Sequence, residues 1–122
     1  MAEISTIARP YAVAAFKLAK EQNALAKWSE MLGFATAVVN DPQMNAYIQD
    51  PKVVSSDLEA SFLKVAGDNL NENGKNLIKV LVEYGRLSIL PEITFAFEEL
   101  KDALRYMESG SHFGKVVISI DN

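Results

Sequence analysis

Apolar residues recur at steps of three and four along most of this chain, a spacing typical of amphipathic helices. The clearest case lies between Asn71 and Pro91, where one apolar stripe consists of Leu77, Ile78, Leu81 and Val82. Asn71 can accept hydrogen bonds from the unpaired amides at the start of this helix, and Gly85 can adopt the left-handed conformation that ends it. Val80 and Tyr84 lie outside the stripe, so we expect a central helix that also binds a partner.

A first helix is predicted from a cap at Ser5 or Thr6 to about Gln22, with Pro10 near its start, where a missing amide costs least. Two faces of this helix are apolar. One consists of Ile7, Tyr11, Ala14, Ala15 and Leu18, and the other of Ala8, Ala12, Phe16 and Ala19. This helix therefore also has more apolar surface than a single core contact requires.

Four further helices complete the prediction, and each starts at residues that favour a helix terminus. These starts are Asn23, Asp41 with Pro42, the capping-box pair Ser56 and Glu59, and Pro91. The second helix should end near Asn40, the third at Asp50 and the fourth at Gly67. Because the turns are short, we expect helices to pack on their sequence neighbours in an all-α six-helix bundle.

The chain changes character after Ser109. The segment from Lys115 to Ile120 is rich in β-branched residues and predicts a lone strand. Such a strand exposes unpaired backbone groups, so we expect this extension either to be mobile or to pair between molecules. The predicted organisation is a helical domain over residues 1–108 and an atypical tail over residues 109–122.

Composition narrows the function classes. With 122 residues, 49% of them hydrophobic, the chain suits one domain whose core needs no disulfide or metal, and it has no cysteine. Its 12 basic and 16 acidic residues give a net charge of -4 without a basic run, so we expect no nucleic-acid partner. Apolar runs fall short of the ~20 residues that span a bilayer, and the first residues lack the basic region, apolar core and cleavage site typical of a signal peptide. We therefore expect a soluble, cytoplasmic chain without direct membrane insertion.

No set of residues in the sequence indicates catalysis. His112 is the only histidine and is interpreted as a solvent-facing loop residue. The segment Gly110–Val116 differs from a phosphate loop, because its glycines are too close together and Val116 replaces the magnesium-binding hydroxyl. We therefore expect no enzymatic activity, no cofactor and no metal.

The surplus apolar surface on the first and fifth helices has two interpretations. Other helices surround both and cover it, or the two outer faces form a shallow groove for an amphipathic helix from a partner. Trp28 likewise is either a core residue or a residue beside such a groove. The pattern alone leaves these alternatives open.

Several segments together resemble a known family. They are the opening segment IARPYAVAAF at residues 7–16, Trp28, Asp41 with Pro42, and above all NGKNLIKVLVEYGRLSILPEI at residues 73–93. They resemble the delta subunit of F-type ATP synthase, whose mitochondrial counterpart is the oligomycin-sensitivity-conferring protein. The resemblance covers residues 1 to about 100 and is specific, because the Ala-Arg-Pro-Tyr-Ala opening and the Gly-Arg-Leu-x-x-Leu-Pro turn occur in order at the family's spacing.

The resemblance implies a non-catalytic, six-helix N-terminal domain that binds the N-terminal helix of an alpha subunit. Such a domain helps hold the catalytic head against rotor torque during proton-driven ATP synthesis, peripherally on the cytoplasmic face of the inner membrane. The contact residues carried over from the family are Tyr11, Ala14, Ala15, Leu18, Asn76, Lys79, Val80 and Glu83. Most of them lie on the surplus apolar faces, which favours the groove.

Two departures from the family pattern stand out. Family members continue into a second domain that binds peripheral-stalk b subunits, and this chain ends before it, so b-subunit binding is expected only if such a domain is present. In addition, residues from about 98 to 120 resemble the closing helix and strand of enoyl reductase domains of polyketide synthases. The alternative hypothesis is therefore a chimeric or truncated scaffold whose reductase-like tail mediates self-association.

Sedimentation with and without residues 110–122 distinguishes these hypotheses. If the tail mediates self-association, its removal should convert an oligomer into a monomer. The same oligomeric state with and without the tail would contradict that alternative.

Overall fold

The computed structural model describes residues 2–108, with side chains from residue 4 onward. In this part the chain forms six α-helices, namely α1 Ala2–Glu21, α2 Leu25–Asn40, α3 Pro42–Gln49, α4 Ser55–Ala66, α5 Glu72–Glu83 and α6 Leu90–Glu108. Two 3-10 turns, Gly67–Asn69 and Leu87–Ile89, precede α5 and α6. No strand occurs among these residues, which confirms the all-α six-helix bundle. The strand predicted over residues 115–120 lies outside the described residues.

Two of the predicted helix starts are confirmed by side-chain hydrogen bonds. Asp41 precedes Pro42, the first residue of α3, and its Oδ2 accepts a hydrogen bond from the Met44 amide at 3.0 Å. Asn71 precedes α5, and its Oδ1 accepts from the Gly74 amide at 2.9 Å. Both contacts satisfy an amide that has no partner inside its helix, so local sequence fixes where these two helices begin.

The predicted start of α1 is wrong. The helix begins at Ala2, upstream of Ser5 and Thr6, so Pro10 lies inside it instead of near its start. Proline removes one backbone hydrogen bond from a helix interior. The burial of Ala8 and Ala12 on the same helix offsets that loss, because tertiary packing contributes more to helix stability than local propensity does.

The predicted starts of α2 and α4 are also wrong. Asn23 has φ 58°, in the left-handed region that asparagine tolerates, and it turns the chain instead of capping α2. Ala24 then precedes α2 without a side-chain cap. Likewise α4 begins at Ser55 after Val54, and no side-chain capping bond forms there.

The central helix of the bundle is α2, and the expectation that α5 is central is therefore wrong. α2 packs against each of the other five helices, whereas α5 packs mainly on α4 and α2. The side chains that α2 buries are Trp28, Met31, Leu32, Ala35, Val38 and Val39. The amphipathic pattern of α5 suits a peripheral helix, which needs only one buried face.

The most extensive helix contact joins α1 to α6. Ala12 and Ala19 of α1 are fully buried, and such small side chains let the two helix backbones approach closely. Beside them, the rings of Phe16 and Phe97 meet edge to face with their centroids 5.7 Å apart. This contact holds one side of α1 against the core, and the opposite side of α1 does not pack on α6.

Two glycines should respond oppositely to alanine. Gly33 is exposed within α2 and an added Cβ would meet no atom within 4 Å, so Gly33→Ala should raise the free energy of unfolding by up to about 1 kcal/mol. Gly85 ends α5 with φ 66°, so Gly85→Ala should lower the free energy of unfolding by about 1 kcal/mol. Denaturant unfolding measures both, and the same sign for the two would contradict the assigned conformations.

Candidate functional site

A shallow groove of about 230 Å³ lies between α1 and α5. Its walls consist of Tyr11, Ala14, Ala15 and Leu18 from α1 and of Asn73, Asn76, Leu77 and Val80 from α5, and Trp28 of α2 also lines it. Most of the lining is apolar. A surface of this kind suits the apolar face of a helix better than it suits a polar small molecule.

The groove brings together six of the eight contact residues predicted from the sequence. These six are Tyr11, Ala14, Ala15, Leu18, Asn76 and Val80. Lys79 and Glu83 are exposed on α5 outside the lining. Sequence reasoning missed Asn73 and Leu77 as wall residues, although both follow from helical spacing, being seven and three positions before Val80.

No helix among residues 2–108 covers this groove. Val80 is 38% exposed, Ala14 is exposed, and Tyr11 and Leu18 are half-buried. The interpretation in which other helices of the bundle enclose both apolar faces is therefore wrong for the described part of the chain. Ala14 and Val80 thus leave apolar surface facing water, whereas Ala15 is buried and Tyr11 and Leu18 also pack against the core. Open apolar surface rimmed by polar residues is typical of interaction sites.

The two walls run in opposite directions. The Tyr11 end of α1 lies near the C-terminal end of α5, because Tyr11 contacts Arg86 just beyond that helix. Each wall extends over seven residue steps, from Tyr11 to Leu18 and from Asn73 to Val80, or roughly 10 Å of helix. The groove therefore accommodates about two turns of a docked helix, enough for anchors at positions i, i+3 or i+4, and i+7.

Arg86 forms a cluster with two tyrosines at one end of the groove. Its Nη1 donates a hydrogen bond to the Tyr11 hydroxyl oxygen at 2.9 Å. Its Cζ lies 5.9 Å from the centre of the Tyr11 ring and 5.8 Å from that of Tyr84, within cation–π range. We call Tyr11, Tyr84 and Arg86 the Arg86 cluster. Sequence reasoning noted the Gly-Arg-Leu turn but assigned Arg86 no role.

The turn that ends α5 fixes the position of Arg86. Its amide donates to the Leu81 carbonyl oxygen at 2.7 Å, and the Gly85 amide donates to the Val82 carbonyl oxygen at 3.0 Å. Gly85 adopts the left-handed conformation that this helix end requires. The arginine backbone is thus anchored to α5, while its side chain reaches across to α1.

Trp28 belongs both to the core and to the groove. Its side chain is only 2% exposed, yet it contributes to the groove lining between the two walls. The indole Nε1 is buried without a hydrogen-bond partner among the described residues. Both interpretations of Trp28 from the sequence therefore apply, and its fluorescence should respond to anything that enters the groove.

Two larger surface cavities lie elsewhere. One, of about 700 Å³, is lined by one side of α1 alone, at Ser5, Thr6, Arg9, Pro10, Val13, Ala14 and Lys17. The other, of about 570 Å³, lies where α2, α3 and α4 meet, and the hydroxyl groups of Tyr47 and Ser61 are 3.3 Å apart within its lining. The α1–α5 groove differs from the first in having two helical walls, and from both in its almost entirely apolar surface.

The described residues give no sign of a metal centre or a membrane span. No group of three or more His, Cys, Asp or Glu side chains among residues 2–108 could hold a metal ion. Within the same range, no helix combines the length and apolar character needed to cross a bilayer. The six helices and their groove together define a helical bundle with an open, helix-sized apolar surface.

Residues 7–110 match the family model described as ATP synthase delta (OSCP) subunit. ATP synthase subunit delta of Methylobacillus flagellatus is 67% identical over 101 residues, which are 83% of this chain and 57% of that protein. The subunit delta of Nitrosospira multiformis is 52% identical over the same shares, and that of Alcanivorax borkumensis is 47% identical over 82% of this chain and 56% of that protein.

The chain therefore belongs to the ATP synthase delta (OSCP) subunit family, which confirms the resemblance seen in the sequence. It spans somewhat more than half the length of the relatives that it matches. The matches do not support the likeness of residues 98–120 to enoyl reductases, since the family match continues to residue 110. Self-association through the tail remains a prediction.

Two alanines of α1 test whether one side of this helix is sealed and the other open. Ala12 is fully buried, so Ala12→Leu should lower the free energy of unfolding by about 1–3 kcal/mol through overpacking. Ala14 is exposed in the groove, so Ala14→Leu should change the free energy of unfolding by no more than about 0.5 kcal/mol. Denaturant unfolding compares the two, and equal losses would mean that the groove side of α1 is packed.

Proposed function

We propose that residues 1–108 form the head-binding domain of a delta-type stator subunit. In this role the groove between α1 and α5 binds the N-terminal helix of an alpha subunit of F-type ATP synthase. The single observation that carries the proposal is the convergence of Tyr11, Ala14, Leu18 and Val80 on one open apolar groove. Membership of the delta (OSCP) family supports the choice of partner.

Binding would depend on apolar burial. Each anchor of a docked helix that is fully buried in the groove contributes roughly 1.5–3 kcal/mol of transfer free energy. Part of that gain is offset by the loss of rotational and translational freedom on association. The wall residues are held by helices that pack on the core, so little further ordering of this chain is required.

The role that follows is mechanical and non-catalytic. The domain helps hold the catalytic head in place while the rotor turns, and no bond is made or broken on this chain. Association with the synthase places it peripherally at the cytoplasmic face of the membrane. Binding of peripheral-stalk b subunits belongs to the proposal only for a chain that also carries a second domain.

A charged side chain in the groove should weaken this binding. The probe is a synthetic peptide with the sequence of the N-terminal helix of a bacterial alpha subunit, and its binding is followed by Trp28 emission and by calorimetry. Val80→Asp should weaken binding at least about tenfold, because a docked helix would bury the new carboxylate without a partner.

The matched control is Val65→Asp. Val65 is an exposed valine of α4, outside the α1–α5 groove, and its replacement should leave the affinity unchanged. Chemical shifts should move at Tyr11 and Val80 when the peptide is added. Equal losses in the two variants, or shifts confined to α2, α3 and α4, would show that the groove is not the binding site.

A further inference from the structure

The Arg86 cluster places a cation with spare hydrogen-bond donors at one end of the apolar groove. A guanidinium group carries five N–H donors, and the described contacts of Arg86 use one side-chain donor, on the Tyr11 hydroxyl. No Asp or Glu of residues 4–108 lies within 4 Å of it. Arg86 is also exposed, so an incoming group can reach it.

We propose that Arg86 is the specificity-determining residue of this groove and pairs with a carboxylate on the docked helix. The inference rests on the proposed function, because it assumes that a helix occupies the groove. Guanidinium and carboxylate groups match in a planar, two-pronged geometry that a lysine does not offer. The pair would therefore select helices with an acidic residue at one defined place beside their apolar anchors.

Arg86 does not itself line the groove, and it reaches one end of the groove through its hydrogen bond to the Tyr11 hydroxyl. Along the rest of its wall, α5 contributes the neutral amides of Asn73 and Asn76. Lys79 and Glu83 are exposed on α5 but do not line the groove. An acidic side chain on the docked helix therefore finds, at the Tyr11 end, a guanidinium that already contacts a lining residue.

The contact between Arg86 and Tyr11 indicates at which end of the docked helix that acidic residue must lie. Tyr11 lines the groove and also belongs to the Arg86 cluster. Val80 lines the groove on the α5 wall and precedes Arg86 by six positions in the chain. The carboxylate should therefore lie beyond the last apolar anchor, at the end of the docked helix that meets Tyr11. A docked helix would also exclude water from the guanidinium, which strengthens its attraction for the carboxylate.

A double-mutant cycle tests this pairing in the full chain. The alpha-subunit peptide is compared with versions in which each Asp or Glu in turn becomes Asn or Gln, against the wild type and Arg86→Gln. Arg86→Gln should weaken binding of the parent peptide about tenfold, as expected for a charge-assisted hydrogen bond. One peptide substitution should weaken binding to the wild type equally and cause no further loss with Arg86→Gln.

Lys64→Gln on α4 is the matched control, since it removes the same charge from an exposed residue outside the groove, and it should bind like the wild type. Tyr11→Phe separates pairing from positioning: it removes the hydroxyl contact but should retain the coupling between Arg86 and the peptide carboxylate. Absence of that coupling from every peptide would overturn the role of Arg86 while leaving groove binding intact. A peptide that fails to bind the wild type at all would overturn both proposals.

Discussion

The structure depends on the packing of five helices around α2. α1 and α5 both pack on this helix, but they make little direct contact with each other, because α1 is held mainly by α6 and α5 mainly by α4. The space between them is not filled by a third helix of the described chain. Trp28 lies below that space, so the groove is a consequence of how the core is built and not a surface irregularity.

Much of this fold follows from local sequence. The number of helices and most of their ends could be predicted because Asp41, Asn71, Gly67 and Gly85 act on their own backbone neighbourhood. The failures arose where a distant contact outweighed a local signal. Ser5 and Thr6 are good capping residues, yet α1 begins before them, and the rank of α5 as central helix could not be judged from its stripe alone.

The groove was predictable to the extent that helical spacing is. Helical spacing placed Tyr11 and Ala14 on one of two apolar faces of the first helix and Val80 outside the stripe of the fifth, and the family resemblance indicated that these two helices act together. Nothing in the spacing shows that Arg86 reaches Tyr11, 75 positions earlier in the chain, or that the Trp28 indole nitrogen is left without a partner. Such contacts arise only when tertiary packing brings remote segments together, whereas a helical period reports only on residues within a few turns.

This architecture also determines how a docked helix would be held. A helix in the groove would touch two walls that are braced by different neighbours, α6 behind α1 and α4 behind α5. A sideways force on that helix would reach the core through close-packed side chains, which deform little. Escape would require both walls to lose their contacts together, so the bound helix would leave more slowly than one held on a single exposed face. The separation of α1 from α5 thus costs the bundle some apolar burial and leaves two separately supported walls that a docked helix would contact.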